Sequence, residues 1–343
     1  MLRPRSASGP DDGAGSAVSF PKVTAVITAH DRVAFLPRAV RSALQSGADE
    51  VIVVRNYSSP IEGCEGQYRD ILCTVPDTGE KQCRGIEAAA GDIVAILDDD
   101  DLWTPEKVPR VRAVFSEDPT LVYWCHAQTP IDADDRPTQA GHRELAATHP
   151  ERFPQWDGKD FTDLVRNIWP GNSSSTSLRR TWALEWVAAA REAGWSADLF
   201  WLFAAVLSGR RLLITPETLT RLRLHAQNMS HARASTPEEF RERHRIGCER
   251  FARANGTMAR LSAARTGPDS PMTRYLAHAT EGFRFFAALE GGNRPRRAAA
   301  RALGTGAGRG DRGVLLTALV TLLSPGLARR ILYRSSLRRW RLG

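Results

Sequence analysis

Residues 91–103 read GDIVAILDDDDLW, from Gly91 to Trp103. An apolar run passes without a polar break into four consecutive aspartates, Asp98 to Asp101, and the chain turns apolar again at Leu102 and Trp103. A short run apolar on both sides of the pleat is the pattern of a central strand covered by helices on both faces. Four adjacent carboxylates oppose one another: two unit charges about 4 Å apart repel by roughly 1 kcal/mol in water, and by more where water is excluded. Either the cluster is a solvated loop, or something positive belongs there. Open α/β sheets bind ligands beyond the carboxyl ends of their strands, and the aspartates stand at such an end.

The segments on either side repeat the alternation. VTAVITA (Val23–Ala29) is a strand-length run, and DRVAFLPRAVRSALQSG reads as a helix with Phe35, Leu36, Ala39, Val40, Ala43 and Leu44 on one face and Gly47 as its stop. EVIVV (Glu50–Val54) is a second strand and ILCTV (Ile71–Val75) a weaker third. EKQCRGIEAAAG reads as a helix closed by Gly91, and Asp92–Leu97 as the fourth strand. Strands alternating with helices imply a mostly parallel α/β sheet, Rossmann-like, with helices on both faces. Thr104–Pro105 gives a helix start after the aspartates, toward which Asp101 is expected to turn as a structural residue.

With 343 residues, 42% hydrophobic and 25% charged, the composition is that of a soluble globular chain. Residues 1–19 have no apolar h-region and read as a disordered leader. The five cysteines form no CxxC pair, which favours reduced thiols and a cytoplasmic setting. The net charge of +8 is unevenly spread: residues 291–343 hold twelve arginines and one acid, Asp311, for +11, leaving −3 on the first 290.

Carboxylate oxygens suit hard cations such as Mg²⁺ or Mn²⁺, which commonly share their shell with substrate phosphates. No G-x-x-x-x-G-K-[ST] and no G-x-G-x-x-G follows the first strand, so P-loop and dinucleotide sites lack their phosphate cradle.

Four stretches together resemble family 2 of the inverting, GT-A-fold glycosyltransferases: VTAVITAHDR, GIEAAAGDIVAILDDDDLWTPEK, VYWCHAQTPIDADDRP, and GWSADLFWLFAAVLSGRRLLITPETLTRLRLHAQNMS. The likeness covers roughly Val23 to Ser230. It implies a GT-A domain over 20–230; beyond it, residues 231–290 read as a helical extension and residues 291–343 as a basic tail. It implies a nucleotide-sugar donor and a hydroxyl acceptor on a glycan or lipid-linked precursor. By the resemblance Asp98 and Asp100 form the Asp-x-Asp pair, Asp98 near the ribose and metal and Asp100 on the metal, with Asp99 in support. Thr28, Ala29, His30 and Arg32 lie in the nucleotide loop. Asp198, in GWSADLF, matches the acid that deprotonates the acceptor. Arg223 and His225 match an Arg-x-His segment that reaches the pyrophosphate or completes the metal shell.

The departures from the family are as informative. Where it has paired aspartates ending the second strand, this chain has Arg55–Asn56; Arg cannot accept a hydrogen bond from a base, so a uridine donor does not follow. Lys81 stands near the place of the family's arginine and offers a cation to the phosphates. Two other functions compete. A sugar-nucleotidyltransferase would want a Gly-rich basic loop after the first strand, which TAHDR is not. A catalytically silent sugar-nucleotide binder is compatible with Ala197 replacing an acid before Asp198.

The tail joins VLLTALVTLL (Val314–Leu323), too short to span about 30 Å of hydrocarbon, to the arginine-rich ARRILYRSSLRRWRLG. A basic end with apolar and aromatic residues is expected to lie on an anionic membrane surface, peripheral on the inner face of the cell membrane. A second copy of the chain is the alternative partner. Nucleic acid is not expected, since no reader module accompanies the charge.

Overall fold

The computed structural model describes residues 20–138, 173–194, 197–225, 236–306 and 312–341. The leader expected over 1–19 lies outside them.

The expected alternation is present: β1 (Val23–Thr28), α1 (Leu36–Gln45), β2 (Glu50–Arg55), β3 (Arg69–Leu72), α2 (Thr78–Ala88) and β4 (Ile93–Asp98). The third strand is displaced from the expected Ile71–Val75. It is an edge strand with three of its four residues exposed, so burial imposes no apolar pattern to read. A two-residue β5 (Leu102–Trp103), α3 (Lys107–Glu117) and the long β6 (Leu121–Ile131) follow. The start of α3 also differs from expectation, with Glu106 rather than Thr104 at the N-cap and no side-chain cap. After a 3₁₀ turn at Ser173–Ser175 come β7 (Thr176–Arg179), α4 (Arg180–Ala193), α5 (Ala197–Ser208) and β8 (Arg211–Arg223).

The eight strands form one sheet in the order β3-β2-β1-β4-β7-β6-β8-β5. The first four in that order run parallel, β7 is antiparallel to both its neighbours, and β6 and β8 are parallel. This is the mostly parallel α/β sheet that the sequence leads one to expect, and its two faces carry separate cores. One face is covered by α1 and α3. The other meets α2, α4 and α5, where Trp182, Trp186, Phe200 and Trp201 pack in tilted and T-shaped pairs with ring centroids 5.3 to 6.4 Å apart. All five cysteines are reduced and buried.

Five helices complete the described chain: α6 (Pro237–Thr266), α7 (Pro271–Gly291), α8 (Pro295–Gly304), α9 (Arg312–Leu323) and α10 (Pro325–Arg341). The first two have Thr236 and Ser270 as N-caps, each followed by proline at the first helical position. They belong to the sheet's own core, because Ala254, Met258, Met272 and Leu276 pack into the tryptophan-rich cluster. The last three helices gather around the far end of α7 at Phe285 and Leu289, in a small core of their own. No helix among the described residues is long and apolar enough to cross a membrane.

Gly85, in the middle of α2, fixes how closely that helix lies on the sheet. A Cβ placed there would sit 2.2 Å from Cγ1 of Val26 on β1. Gly85→Ala should therefore lose about 1–3 kcal/mol of stability through overpacking, read as a lowered urea midpoint, although alanine is the better helix former.

Candidate active site at the carboxyl ends of the central strands

In the parallel ladders Thr28 lies opposite Val54 on one side and Asp98 on the other. The loops that follow β1, β2 and β4 therefore leave the sheet at one edge. After Asp98 the chain turns at once, with the Asp101 N–H donating to the Asp98 carbonyl at 3.2 Å. Four carboxylates are thus wound into a single turn.

Each aspartate meets a different environment. Asp98 accepts from the Thr28 hydroxyl at 3.2 Å. Asp99 is fully buried, accepts from the His30 N–H at 3.2 Å and pairs with Nη2 of Arg32 at 2.5 Å. Asp100 pairs with Nη1 of Arg32, and its Oδ2 lies 3.0 Å from Nε2 of His225. Asp101 accepts from the Ser174 hydroxyl at 2.7 Å and the Arg223 N–H at 2.8 Å.

Burial, with Asp100 adding to it, pushes the Asp98 carboxyl up to about 7. Burial raises Asp99 to about 8 against the pull of Arg32, and lifts Asp101 well above the carboxylate range with help from Asp100 and Asp98. The repulsion is thus met in two ways: the cluster's affinity for protons rises, and one guanidinium bridges two of its members. Burial opposes the Arg32 charge, but Asp99 and Asp100 outweigh it and hold the group protonated.

Lys81 reaches in from α2, its Nζ donating to the Ala29 carbonyl at 2.7 Å and lying 3.1 Å from Nδ1 of His30. Burial lowers the pKa of Lys81, and burial together with Lys81 lowers that of His30, keeping the imidazole neutral. At the end of β2, Asn56 and Asp31 form a reciprocal pair: the amide donates to the Asp31 carboxylate at 2.7 Å and its oxygen accepts from the Asp31 N–H at 3.3 Å. Arg55 turns away toward Asp70 on β3, donating from Nε at 2.9 Å and Nη2 at 2.6 Å, and lies over the rings of Tyr57 and Tyr68. Asp70 thus balances the cation at the end of β2.

Asp198 opens α5, where a carboxylate is favoured by the helix dipole, and accepts from the Leu199 N–H at 2.8 Å. Burial raises it to about 6, and its charge in turn acts on Asp98, which brings the two within electrostatic reach. Arg223 is fully buried on β8. Its guanidinium donates to the carbonyls of Asp100 at 2.7 Å, Asp132 at 3.0 Å and Ala133 at 3.1 Å, and pairs with Asp135. It braces the turn that carries the aspartates and the loop after β6. Phe35 lies between the rims of the site, 4.8 Å beneath the Arg223 guanidinium and 4.7 Å from the His225 ring.

Asp100 Oδ2 and His225 Nε2 converge, and a carboxylate with an imidazole suits a divalent ion such as Mn²⁺ or Mg²⁺. Among the described residues no three such side chains gather tightly enough to hold a metal alone, so phosphate oxygens would have to complete the shell. On donor chemistry the residues fit a cation shared with a diphosphate.

Two residues of consequence escape a reading of the sequence. Ser174 donates to Asp101, accepts from the Asp98 N–H at 3.0 Å, and through its carbonyl receives Trp103 Nε1 at 3.0 Å and the Thr220 hydroxyl at 2.8 Å. Asp135, held at φ 69°, joins Arg223 to Arg38. A serine triplet and a loop aspartate give no periodic signal, since their importance comes from contacts far away in sequence. Ser174→Ala would leave the Asp98 N–H and the Asp101 carboxyl without that partner. The expected loss is about 1–3 kcal/mol, measured by urea denaturation, with weakened binding of a nucleotide-sugar.

The chain is similar to several known proteins. An uncharacterized glycosyltransferase from Nostoc sp. (strain PCC 7120) is 23% identical over 249 residues, covering 66% of this chain and 72% of that protein. Staphylococcus aureus TarS residues 1–349 superpose at TM-score 0.46 with 14% identity, over 85% of this chain and 90% of that one. The same protein in complex with UDP-GlcNAc gives a TM-score of 0.47 at 13% identity over the same shares. The family model described as glycosyl transferase family 2 matches residues 24–181, the span from β1 to the start of α4 that holds the loop after β1, the aspartate turn and Ser174. Residues 24–181 thus carry the likeness to glycosyl transferase family 2, and the relative that spans most of the chain is itself described as a glycosyltransferase.

Proposed function

We propose that this glycosyltransferase moves a sugar from a nucleoside-diphosphate sugar to a hydroxyl acceptor, a glycan or lipid-linked precursor, by an inverting displacement assisted by a divalent cation. The observation that carries the reading is the convergence of His225 from the end of β8 on Asp100 of the aspartate turn, with Asp198 in electrostatic reach of Asp98.

Asp198 is the base. The acceptor O–H gives its proton to the Asp198 carboxylate as the oxygen forms a bond to the anomeric carbon. The bond from that carbon to the diphosphate oxygen breaks, and its electron pair leaves with the nucleoside diphosphate. A carboxylate raised to about 6 is a better base than an ordinary one yet still ionised at neutral pH. Asp100 and His225, with Asp98, would hold Mg²⁺ or Mn²⁺, which would screen the charge developing on the leaving diphosphate. Arg32 and Lys81 set further positive charge beside the loop of Thr28, Ala29 and His30. The Asn56–Asp31 pair offers a donor and an acceptor to a nucleobase edge.

Chelation with EDTA should abolish donor turnover, and Mn²⁺ or Mg²⁺ should restore it. Asp100→Asn should lose the metal-linked part of donor binding in calorimetry while the circular dichroism spectrum persists. Full turnover in EDTA would remove the cation from the reading.

Asp198→Asn should lower kcat by about 10²–10⁴-fold, the usual worth of a general base, with donor affinity nearly unchanged. Because the base acts when deprotonated and its pKa lies near 6, kcat of the parent should fall as pH drops through 6, and the variant should lack that limb. Donor binding without transfer to any acceptor in the parent chain would favour a silent sugar-nucleotide binder.

A further inference from the structure

The helix α9 is apolar around its whole circumference between Val314 and Leu323, interrupted only by two threonines. Such a helix ordinarily has all its sides covered. Here only Val314, Ala318 and Thr321 are buried against the core shared with α7, α8 and α10. Leu315, Leu316, Leu319, Leu322 and Leu323 face outward, with Leu316 61% and Leu323 82% exposed. The face continues across the joint at Ser324 into α10, where Leu327 and Ile331 are about half exposed.

On α10 the exposed leucine and isoleucine alternate with arginine. Residues 327, 330, 331 and 334 follow helical spacing along one side, so Arg330 and Arg334 stand in the same surface as Leu327 and Ile331. Arg312 is exposed at the start of α9. No described residue between Gly291 and Arg341 is acidic. Two other arginines of this region have structural work instead: Arg296 donates to the carbonyls of Leu322 and Leu323 at 3.1 and 3.3 Å, and Arg329 to that of Leu289 at 2.7 Å. They fix the ends of α9 and α10 on the frame, so the apolar face is presented on a rigid support.

We infer that the outward faces of α9 and α10 dock on an anionic lipid bilayer, the leucines entering the headgroup boundary and Arg312, Arg330 and Arg334 meeting lipid phosphates. The charge selects this occupant over a second copy of the chain, since a two-fold contact through this face would set guanidinium against guanidinium. Ten apolar residues allow surface insertion and not a span. The inference extends the transferase reading by setting the reaction beside lipid-linked acceptors, and it stands or falls separately from that reading.

The test is co-sedimentation of the full chain with phosphatidylcholine vesicles with and without phosphatidylglycerol. The chain should pellet only with the anionic vesicles and be released by high salt, as the Debye length falls from about 10 Å at 0.1 M to about 3 Å at 1 M. R330Q/R334Q should weaken partitioning about thirtyfold, which is ~2 kcal/mol at about 1 kcal/mol per arginine near the surface. L316S/L319S/L323S should abolish binding even at low salt. Both variants should keep the parent's far-ultraviolet circular dichroism and its donor hydrolysis in the absence of vesicles. Failure to bind anionic vesicles overturns the inference, as does equal binding to neutral ones. A dimer in light scattering that the serine substitutions split, without vesicle binding, assigns the face to a second copy instead. Donor hydrolysis without vesicles reports on the transferase reading whichever way the vesicle result falls.

Discussion

Everything at the active edge depends on holding four carboxylates in one turn without letting their repulsion open it. The protein meets the demand with neutral and cationic partners drawn from distant parts of the chain. Arg32 arrives from the loop after β1, Ser174 from the turn before β7, and the Arg223 N–H from the end of β8. Each contact lowers the cost of keeping the acids together, and each also ties one strand end to another. The turn is therefore a junction of the sheet as well as a site. A Coulombic penalty of about 4 kcal/mol for a close pair near a protein surface sets the scale of what the Arg32 fork and the hydrogen bonds from Ser174 and the Arg223 N–H offset.

The same economy governs Arg223. Its side chain is wholly enclosed, and three of its contacts are to backbone carbonyls. A guanidinium used in this way sets the path of two loops, and it places a fixed positive charge one layer behind Asp100. Arg55 shows a related exchange. A cation at the end of β2 is balanced by Asp70 on the adjoining strand, so the local charge is close to neutral although the order of residues along the chain is unlike that of the family.

What could be read in advance follows from which forces are local. The strands β1, β2 and β4 and the helices between them are legible because burial on two faces writes a continuous apolar code into six-residue runs. The aspartate turn is legible because a charged cluster after such a run has few structural reasons to exist. The edge strand β3 was displaced because exposure leaves it no such code. Ser174, Asp135 and the burial of Arg223 could not be read, since each acquires its role from partners between 46 and 123 residues away, and nothing in the neighbouring residues records them. The helices α6 and α7 carried a clear helical pattern, but only the structure joins Met258 and Leu276 to the core of the sheet.

The five buried thiols have a use of their own. Cys64 packs beside α1, Cys73 follows β3, Cys83 lies on α2 against the tryptophan cluster, Cys125 is in β6, and Cys248 is on α6. Burial raises Cys83 and Cys248 to about 12 and also lifts Cys64 and Cys125, so the reactive thiolate is scarce while each region stays closed. Alkylation by a small electrophile then reports local opening. Because the reporters are spread over both faces of the sheet and the helical extension, their relative rates would rank these parts by how often each one breathes.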